Sequence, residues 1–306
     1  MKSEGYLKWL DEAALRELGT LEFLARGRVD GFVAGRHRSS RKGSSAEFAE
    51  HREYQPGDDL RRLDWKLAAR RQRVYVREYI DETNLRATVV LDHSGSMGYA
   101  GGRSFRGLAK LDYAKYLAAS LTYLLSGQQD AVGFAAFADS IDSFIPARSR
   151  KTQVKAVLES LDVLKPSADT SMSAALDEIA ERIPRRSVVF ILSDFYDDVN
   201  ALIRALHHLR FRNHEVVAIE IAAEEELSFP FERMAIFRDL ESASELEVDV
   251  KALKNDYLDR FNRHLAELKR ACGEMKIVHE LVNTSVPFKD ALCDILVRYH
   301  RRGGGR

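Results

Sequence analysis

The sequence predicts an α/β fold, an open and mostly parallel sheet with helices on both faces. Two observations carry this expectation. From Arg86 onward short, nearly continuous apolar runs rich in Val, Ile and Phe recur: Ala87–Leu91, Ala131–Phe137, Val188–Leu192, Val216–Ile221 and Lys276–Val282. They are too short for helices and read as strands covered on both faces. Between them lie stretches with helical period, and alternation of the two patterns gives a parallel sheet with crossover helices.

Taken in order, the first segment places Leu7, Leu10, Ala14, Leu18 and Leu21 at helical spacing, so Tyr6 to about Leu24 is expected to be a helix. The stretch GRVDGFVAGRHRSSRKGSS reads as loop. In PGDDLRRLDWKLAARRQ, Asp58 or Asp59 can cap a short helix carrying Leu60, Leu63 and Leu67, and RVYVREYI follows as a strand. Leu111–Leu125 is apolar almost all round and is expected to be deeply buried. Thr152–Leu161, Ser173–Arg182 and Leu253–Leu268 are amphipathic helices, and His207-His208 falls on another. Ile141–Ile145 follows its predecessor too closely for a crossover and should pair antiparallel at an edge. Met234–Val250 lacks helical period and reads as a second hairpin. The expected organisation is therefore an amino-terminal basic segment over 1–84 packed on the main domain, an α/β domain over 85–300 with a hairpin insertion at about 227–250, and a disordered tail over 301–306. No long Pro/Gly linker separates the first two.

Apolar residues make up 45% and charged residues 31% of the 306, ordinary values for a globular chain. No run of about 18 apolar residues occurs, which excludes a spanning helix on sequence grounds. The first residues mix charges into an amphipathic pattern and lack a signal peptide's apolar centre, so the expected location is the cytoplasm. Cys272 and Cys293 form no CxxC pair and read as two buried thiols. The net charge is zero but unevenly spread: between Arg26 and Arg77 fourteen basic residues face seven acidic ones, a surplus of seven balanced by the rest of the chain. The cluster Arg36-His37-Arg38-Ser39-Ser40-Arg41-Lys42 lacks interleaved aromatics. It reads as a basic loop for an acidic partner or as a solvated loop, ahead of a nucleic-acid surface.

Ligands of an open α/β sheet bind outside the carboxyl ends of its strands. After the first apolar strand stands Asp92-His93-Ser94-Gly95-Ser96. After SVVFILS stands Asp194, and Asp169-Thr170-Ser171 precedes the helix before that strand. Asp92, Ser94 and Ser96 alternate along a tight turn and can face one point, with Gly95 letting the backbone fold close. Thr170 adds a hydroxyl, and Asp194 a second carboxylate acting directly or through water. Such oxygens suit a hard divalent cation, Mg²⁺ first and Mn²⁺ or Ca²⁺ as alternatives. The bland reading of a lone Asp-x-Ser-x-Ser is a capped turn; the matching Thr170 and Asp194 on the right later loops weigh against it. His93, between the ligands, is expected to turn away. No catalytic set accompanies the cation candidates. There is no GxSxG elbow around Ser96 and no GxxxxGK[ST] loop, and Asp139, Asp197 and Asp198 are loose candidates for a base.

Asp92-x-Ser94-x-Ser96 with Thr170 and Asp194 resembles the metal-ion-dependent adhesion site (MIDAS) of von Willebrand factor A domains. Upstream, GSSAEFAEHREYQPGDDLRRLDWKLAARRQRVYVREYIDE is similar to the signature of the bacterial domain-of-unknown-function family 58, through Gly43, Glu47, Phe48, Arg52, Tyr54, Gly57, Asp58, Asp59, Arg61, Asp64, Trp65, Ala69 and Arg70. The resemblance implies a von Willebrand factor A-like domain without enzymatic activity. It implies a protein-interaction module, in which a partner carboxylate completes the metal's coordination, and an adaptor or chaperone-like role beside a MoxR-type AAA+ ATPase. The alternatives are a metal-dependent hydrolase and a nucleic-acid-binding protein using the basic segment. Asp58, Asp59 and Asp64 pairing with Arg52, Arg61 and Arg70 around Trp65 read as scaffold. One departure is Ala222-Ala223-Glu224-Glu225-Glu226, where the family tends to carry an acid-Pro-x-Glu turn.

Overall fold

A computed structural model describes residues 8–10, 46–53, 63, 67, 75–81, 85–150, 152–167, 172–231, 235–238, 245–248 and 250–303. The chain divides into two compact units, Val33–Asn84 and the remainder, Met1–Phe32 with Leu85–Arg306. In the smaller unit β1 (Ala46–Glu53) pairs antiparallel with β2 (Tyr75–Asp81), with an irregularity between Phe48 and Glu50. The strand expected in RVYVREYI is β2; β1 lies in a charged stretch with no clean alternation and was not legible as a strand. The helix expected over Tyr6–Leu24 lies outside the described residues except at 8–10, as does most of the short helix around Leu63 and Leu67.

The larger unit holds a six-stranded sheet in the order β10-β7-β6-β3-β4-β5. The strands are β3 (Arg86–Asp92), β4 (Ala131–Phe137), β5 (Ile141–Arg148), β6 (Val188–Ser193), β7 (Glu215–Ala222) and β10 (Val278–Asn283). All neighbours are parallel except β5, which returns antiparallel along β4 at the edge, as its short connection required. β8 (Ala235–Arg238) and β9 (Glu245–Val248) form the expected separate hairpin.

Each central strand buries both of its faces. Val89 and Leu91 of β3 pack with α1 (Lys110–Gly127), α2 (Thr152–Val163) and α7 (Phe288–Gly303). Val90 packs with α3 (Met172–Arg182), α4 (Val199–Phe211) and α6 (Val250–Glu274). Burial on both sides explains why the strands read as unbroken apolar runs. α1, apolar all round, lies deepest, with Tyr113, Leu117 and Ala118 fully enclosed. Trp9 belongs to the same core. Its indole N–H donates to Asp162 Oδ1 at 3.2 Å, and its ring meets Tyr116 edge-on at 5.3 Å.

Two expectations need correction. Helix α7 runs to Gly303, three residues into the tail expected to be disordered, because its apolar face keeps contact with the core beyond Ile295 through Leu296 and Tyr299. Cys272 is buried, but Cys293 is only half-buried. Among the described residues no helix is long and apolar enough to cross a membrane.

Candidate metal centre

The order of the sheet creates the site. From β3 the chain moves to β4 on one side, then returns to β6 on the other, so the crevice between β3 and β6 at their carboxyl ends is a topological switch point. Asp92 ends β3 and Asp194 follows β6 directly.

Asp92 is 1% exposed and fully engaged. Its Oδ1 accepts the Ser94 N–H at 2.8 Å, and its Oδ2 accepts the Ser193 hydroxyl at 2.5 Å. The chain then makes one 3-10 turn, Gly95–Gly98, with Met97 N–H donating to Ser94 O at 3.1 Å. Met97 is driven fully into the core. The alternate residues Ser94 and Ser96 are thereby left facing one another, their hydroxyls 3.1 Å apart. Ser94 is buried while Ser96 is half-buried, so solvent reaches the centre from the Ser96 side. Gly95 keeps an ordinary negative φ; Gly107 is the glycine with positive φ among the described residues. The close approach falls instead at Gly98, where a Cβ would lie 3.0 Å from the Pro166 ring.

His93 does turn away. Its Nδ1 donates to Lys165 O at 2.9 Å and its Nε2 faces Asp142 Oδ2 at 2.7 Å. Together with Ser167 N–H donating to His93 O at 2.9 Å, this ties the segment before α3 to the Asp92 loop. Thr170 itself, with Asp169 and Ser171, lies outside the described residues, as do the basic cluster Arg36–Lys42 and the Asp58, Asp59, Asp64 and Trp65 signature.

Asp194 is held by a strained turn. Phe195, fully buried, adopts φ 55°, and its N–H donates to Ser193 Oγ at 2.8 Å. A left-handed bulky residue costs on the order of 1 kcal/mol and points to a constraint imposed by the site. Asp194 Oδ2 accepts Lys110 Nζ at 2.8 Å, and Oδ1 accepts Tyr196 N–H at 3.3 Å. Lys110, at the start of α1, is 1% exposed and also donates to Glu226 Oε1 at 2.6 Å. The other carboxylate oxygen of Glu226 accepts Ala223 N–H at 2.7 Å. Glu226 thus fixes α5 (Glu224–Ser228), the short helix that stands where the departure from the family's turn occurs. Lys110, Glu226 and Ser193 were missed in the sequence. A lysine opening a helix and a Glu-Glu-Glu run read as solvated charge, and Ser193 reads as a strand end. The one available signal was that Lys110 opens a helix with no polar face. Asp139, Asp197 and Asp198 serve local structure. Asp198 caps α4, Asp197 accepts Ser173 N–H at 3.2 Å, and Asp139 accepts from Ser140 on the surface.

The electrostatics favour an added cation. Burial, and then the negative charge of Asp194, push the Asp92 carboxyl up to about 6. Burial alone would pull the Lys110 ammonium down, but Asp194 and Glu226 outweigh it and hold it above its ordinary value. Three carboxylates against one ammonium leave two negative charges in the cluster. Beside it lies Tyr196, stacked under Lys110 Nζ at 5.0 Å, which meets the buried Phe261 edge-on, and Phe261 in turn stacks on Tyr257.

The raised Asp92 value has a defined pH consequence. The native state binds the extra proton between about 4 and about 6, so this group's contribution to metal-free stability falls as pH rises through that window, and the loss is complete above it. A bound cation must displace that proton. Affinity at Asp92 is therefore expected to fall as pH drops below about 6, by about tenfold per unit in the acid limit; calorimetric titration between pH 5 and 7.5 checks this.

Comparison with known proteins gives relatives over most of the chain. An uncharacterized protein of Mycobacterium bovis is 30% identical over 269 residues, covering 85% of this chain and 82% of its own length, and an uncharacterized protein of Mycobacterium tuberculosis matches equally. Among solved structures, the conserved hypothetical protein BatB of Bacteroides thetaiotaomicron aligns with 72% of this chain and 100% of its own at 18% identity and TM-score 0.47. The SpRpn10 VWA domain aligns with 69% of this chain and 94% of its own at 14% identity and TM-score 0.39. A family model described as protein of unknown function DUF58 matches residues 50–267, well over half of the chain, and the protein belongs to that family.

Proposed function

We propose that this protein is a metal-dependent protein-interaction module rather than an enzyme. The observation that carries the reading is the pair of buried carboxylates, Asp92 and Asp194, at the ends of adjacent strands beside the facing hydroxyls of Ser94 and Ser96. Asp92, Ser94 and Ser96 would hold one divalent cation, Mg²⁺ in the first place, with Thr170 and Asp194 completing the set. Each donor is a hard oxygen, and the two surplus negative charges match one divalent ion. The ion would supply an electrophilic centre open on the Ser96 side. A carboxylate from a partner protein is the natural occupant there, with Tyr196 and Tyr257 as the adjoining contact. A hydrolase would need a base placed to activate water, and Asp139, Asp197 and Asp198 are each engaged in local structure.

The proposed partner rests on the resemblance alone: a MoxR-type AAA+ ATPase, beside which this chain would act as an adaptor in the cytoplasm. Pull-down from cell extract with Mg²⁺ or with EDTA, comparing wild type with Asp92→Ala, tests it. Capture of the ATPase by metal-supplied wild type alone is the expected result. Capture indifferent to both the ion and Asp92 would remove the metal from the binding event.

A further inference from the structure

His93 stands between Asp92 and Ser94 and points away from them, yet all four of its polar groups are engaged. Its N–H donates to Phe137 O at the end of β4 at 3.0 Å, and its carbonyl accepts Ser167 N–H at 2.9 Å. Its Nδ1 donates to Lys165 O at 2.9 Å, and its Nε2 lies 2.7 Å from Asp142 Oδ2 at the start of β5. The residue is 5% exposed. A turn that merely caps a strand has no use for these ring contacts, since Asp92 Oδ1 and the 3-10 turn close it by themselves.

What the ring holds is the segment 164–167, which leads from α2 toward Thr170. Its carbonyls are gripped one after another. Leu164 O accepts Lys115 Nζ from α1 at 2.9 Å, and Lys165 O accepts His93 Nδ1. Ser167 then lies beside Ser94 in an isolated parallel bridge. Pro166, between these anchors, sits so close to the Ser94–Ser96 turn that a Cβ on Gly98 would come within 3.0 Å of its ring. The segment is thereby fixed in register against Ser94. Thr170 follows Ser167 by three residues, about 11 Å of fully extended chain at most. The place of the anchor therefore limits where the Thr170 hydroxyl can reach.

We infer that His93, oriented by Asp142, is a positioning residue of the metal centre: it ties the segment 164–167 to the Ser94 turn so that Thr170 is delivered to the ion. The inference rests on the metal reading above and adds to it a residue that touches no ion. Without the tie the segment would have to be ordered when the ion binds, and affinity would fall by that cost. Supporting partners of metal ligands are worth about 10–100-fold in affinity.

The test titrates Mn²⁺ into the full chain and follows the free ion by electron paramagnetic resonance. His93→Leu removes both ring contacts and no ligand, and is expected to bind Mn²⁺ about tenfold more weakly than wild type. Thr170→Val should also weaken the ion. Adding His93→Leu to Thr170→Val should cost little more, because the histidine acts through the threonine. Equal affinity in wild type and His93→Leu overturns the inference and leaves the metal centre standing. A loss that persists in full in the Thr170→Val background overturns it too, since it marks a general loosening of the fold. If wild type binds no Mn²⁺, the metal reading fails and the inference with it. Should His93→Leu not fold, Asp142→Ala decides, because the Asp142 side chain is 44% exposed on the edge strand. Severalfold weaker Mn²⁺ binding is then expected, and unchanged affinity overturns the inference.

Discussion

Asp92→Asn is expected to make the metal-free protein more stable while abolishing the stabilisation by Mg²⁺ at this centre. Asp92 is fully buried and its carboxyl is pushed up to about 6, by burial first and by Asp194 second. At pH 7.5 the ionised group is therefore held against its preference. A shift of that size corresponds to roughly 3 kcal/mol at most, at about 1.4 kcal/mol per unit. Asn retains an acceptor for Ser94 N–H and removes the like charge facing Asp194. A gain of about 2 kcal/mol, or several degrees in Tm, follows for a chain of this size in EDTA. Wild type in Mg²⁺ at a hundredfold excess over Kd gains about 2.7 kcal/mol by linkage, and the variant should gain none through this centre. Thermal unfolding of both proteins with EDTA and with Mg²⁺ reads all four values. A variant less stable than wild type in EDTA would show that Asp92 is a structural acceptor rather than a strained ligand.

Lys110→Met carries the other large effect, with opposite sign. Lys110 is enclosed between Asp194 and Glu226 at 2.8 and 2.6 Å. Removing one partner of a buried ion pair costs about 3–5 kcal/mol, since the remaining charge stays buried and uncompensated. The metal-free variant is expected to unfold about 10 °C below wild type. Asp194 would then lack its cation, so Mg²⁺ should restore more stability to the variant than it adds to wild type. Equal gains in the two proteins would mean that the ion and Lys110 do not share Asp194. Lys110→Arg is no substitute control, because a planar fork does not fit a site shaped around a point charge.

Most of the framework was legible in the sequence because it rests on local patterns. Ala131–Phe137 and Val188–Leu192 announced themselves as strands through burial on both faces, and the short link before Ile141 dictated an antiparallel edge. The Asp92 turn was legible for the same reason, since alternating Asp and Ser residues follow directly on a strand. What escaped depends on contacts between distant residues. Lys110 and Glu226 are 116 positions apart and Asp92 and Ser193 are 101 apart. No spacing rule connects them, and each looks like an ordinary surface or terminal residue until the sheet brings them together. β1 was hidden differently: Glu and His interrupt its alternation, and its pairing with β2 spans an irregularity at Phe48. The conformation of Ala222–Glu226, left open by the sequence, is a helix start in which Glu226 satisfies Ala223 N–H with its own carboxylate.

The most direct measurement is an anomalous difference map from crystals grown with Mn²⁺. A cation held by the Asp92 turn would give a peak about 2.0–2.3 Å from Ser94 Oγ and Ser96 Oγ, with Asp92 turned onto it. A map with no density there, the Ser94–Ser96 hydrogen bond intact and Asp92 still bound by Ser193, would contradict the metal reading.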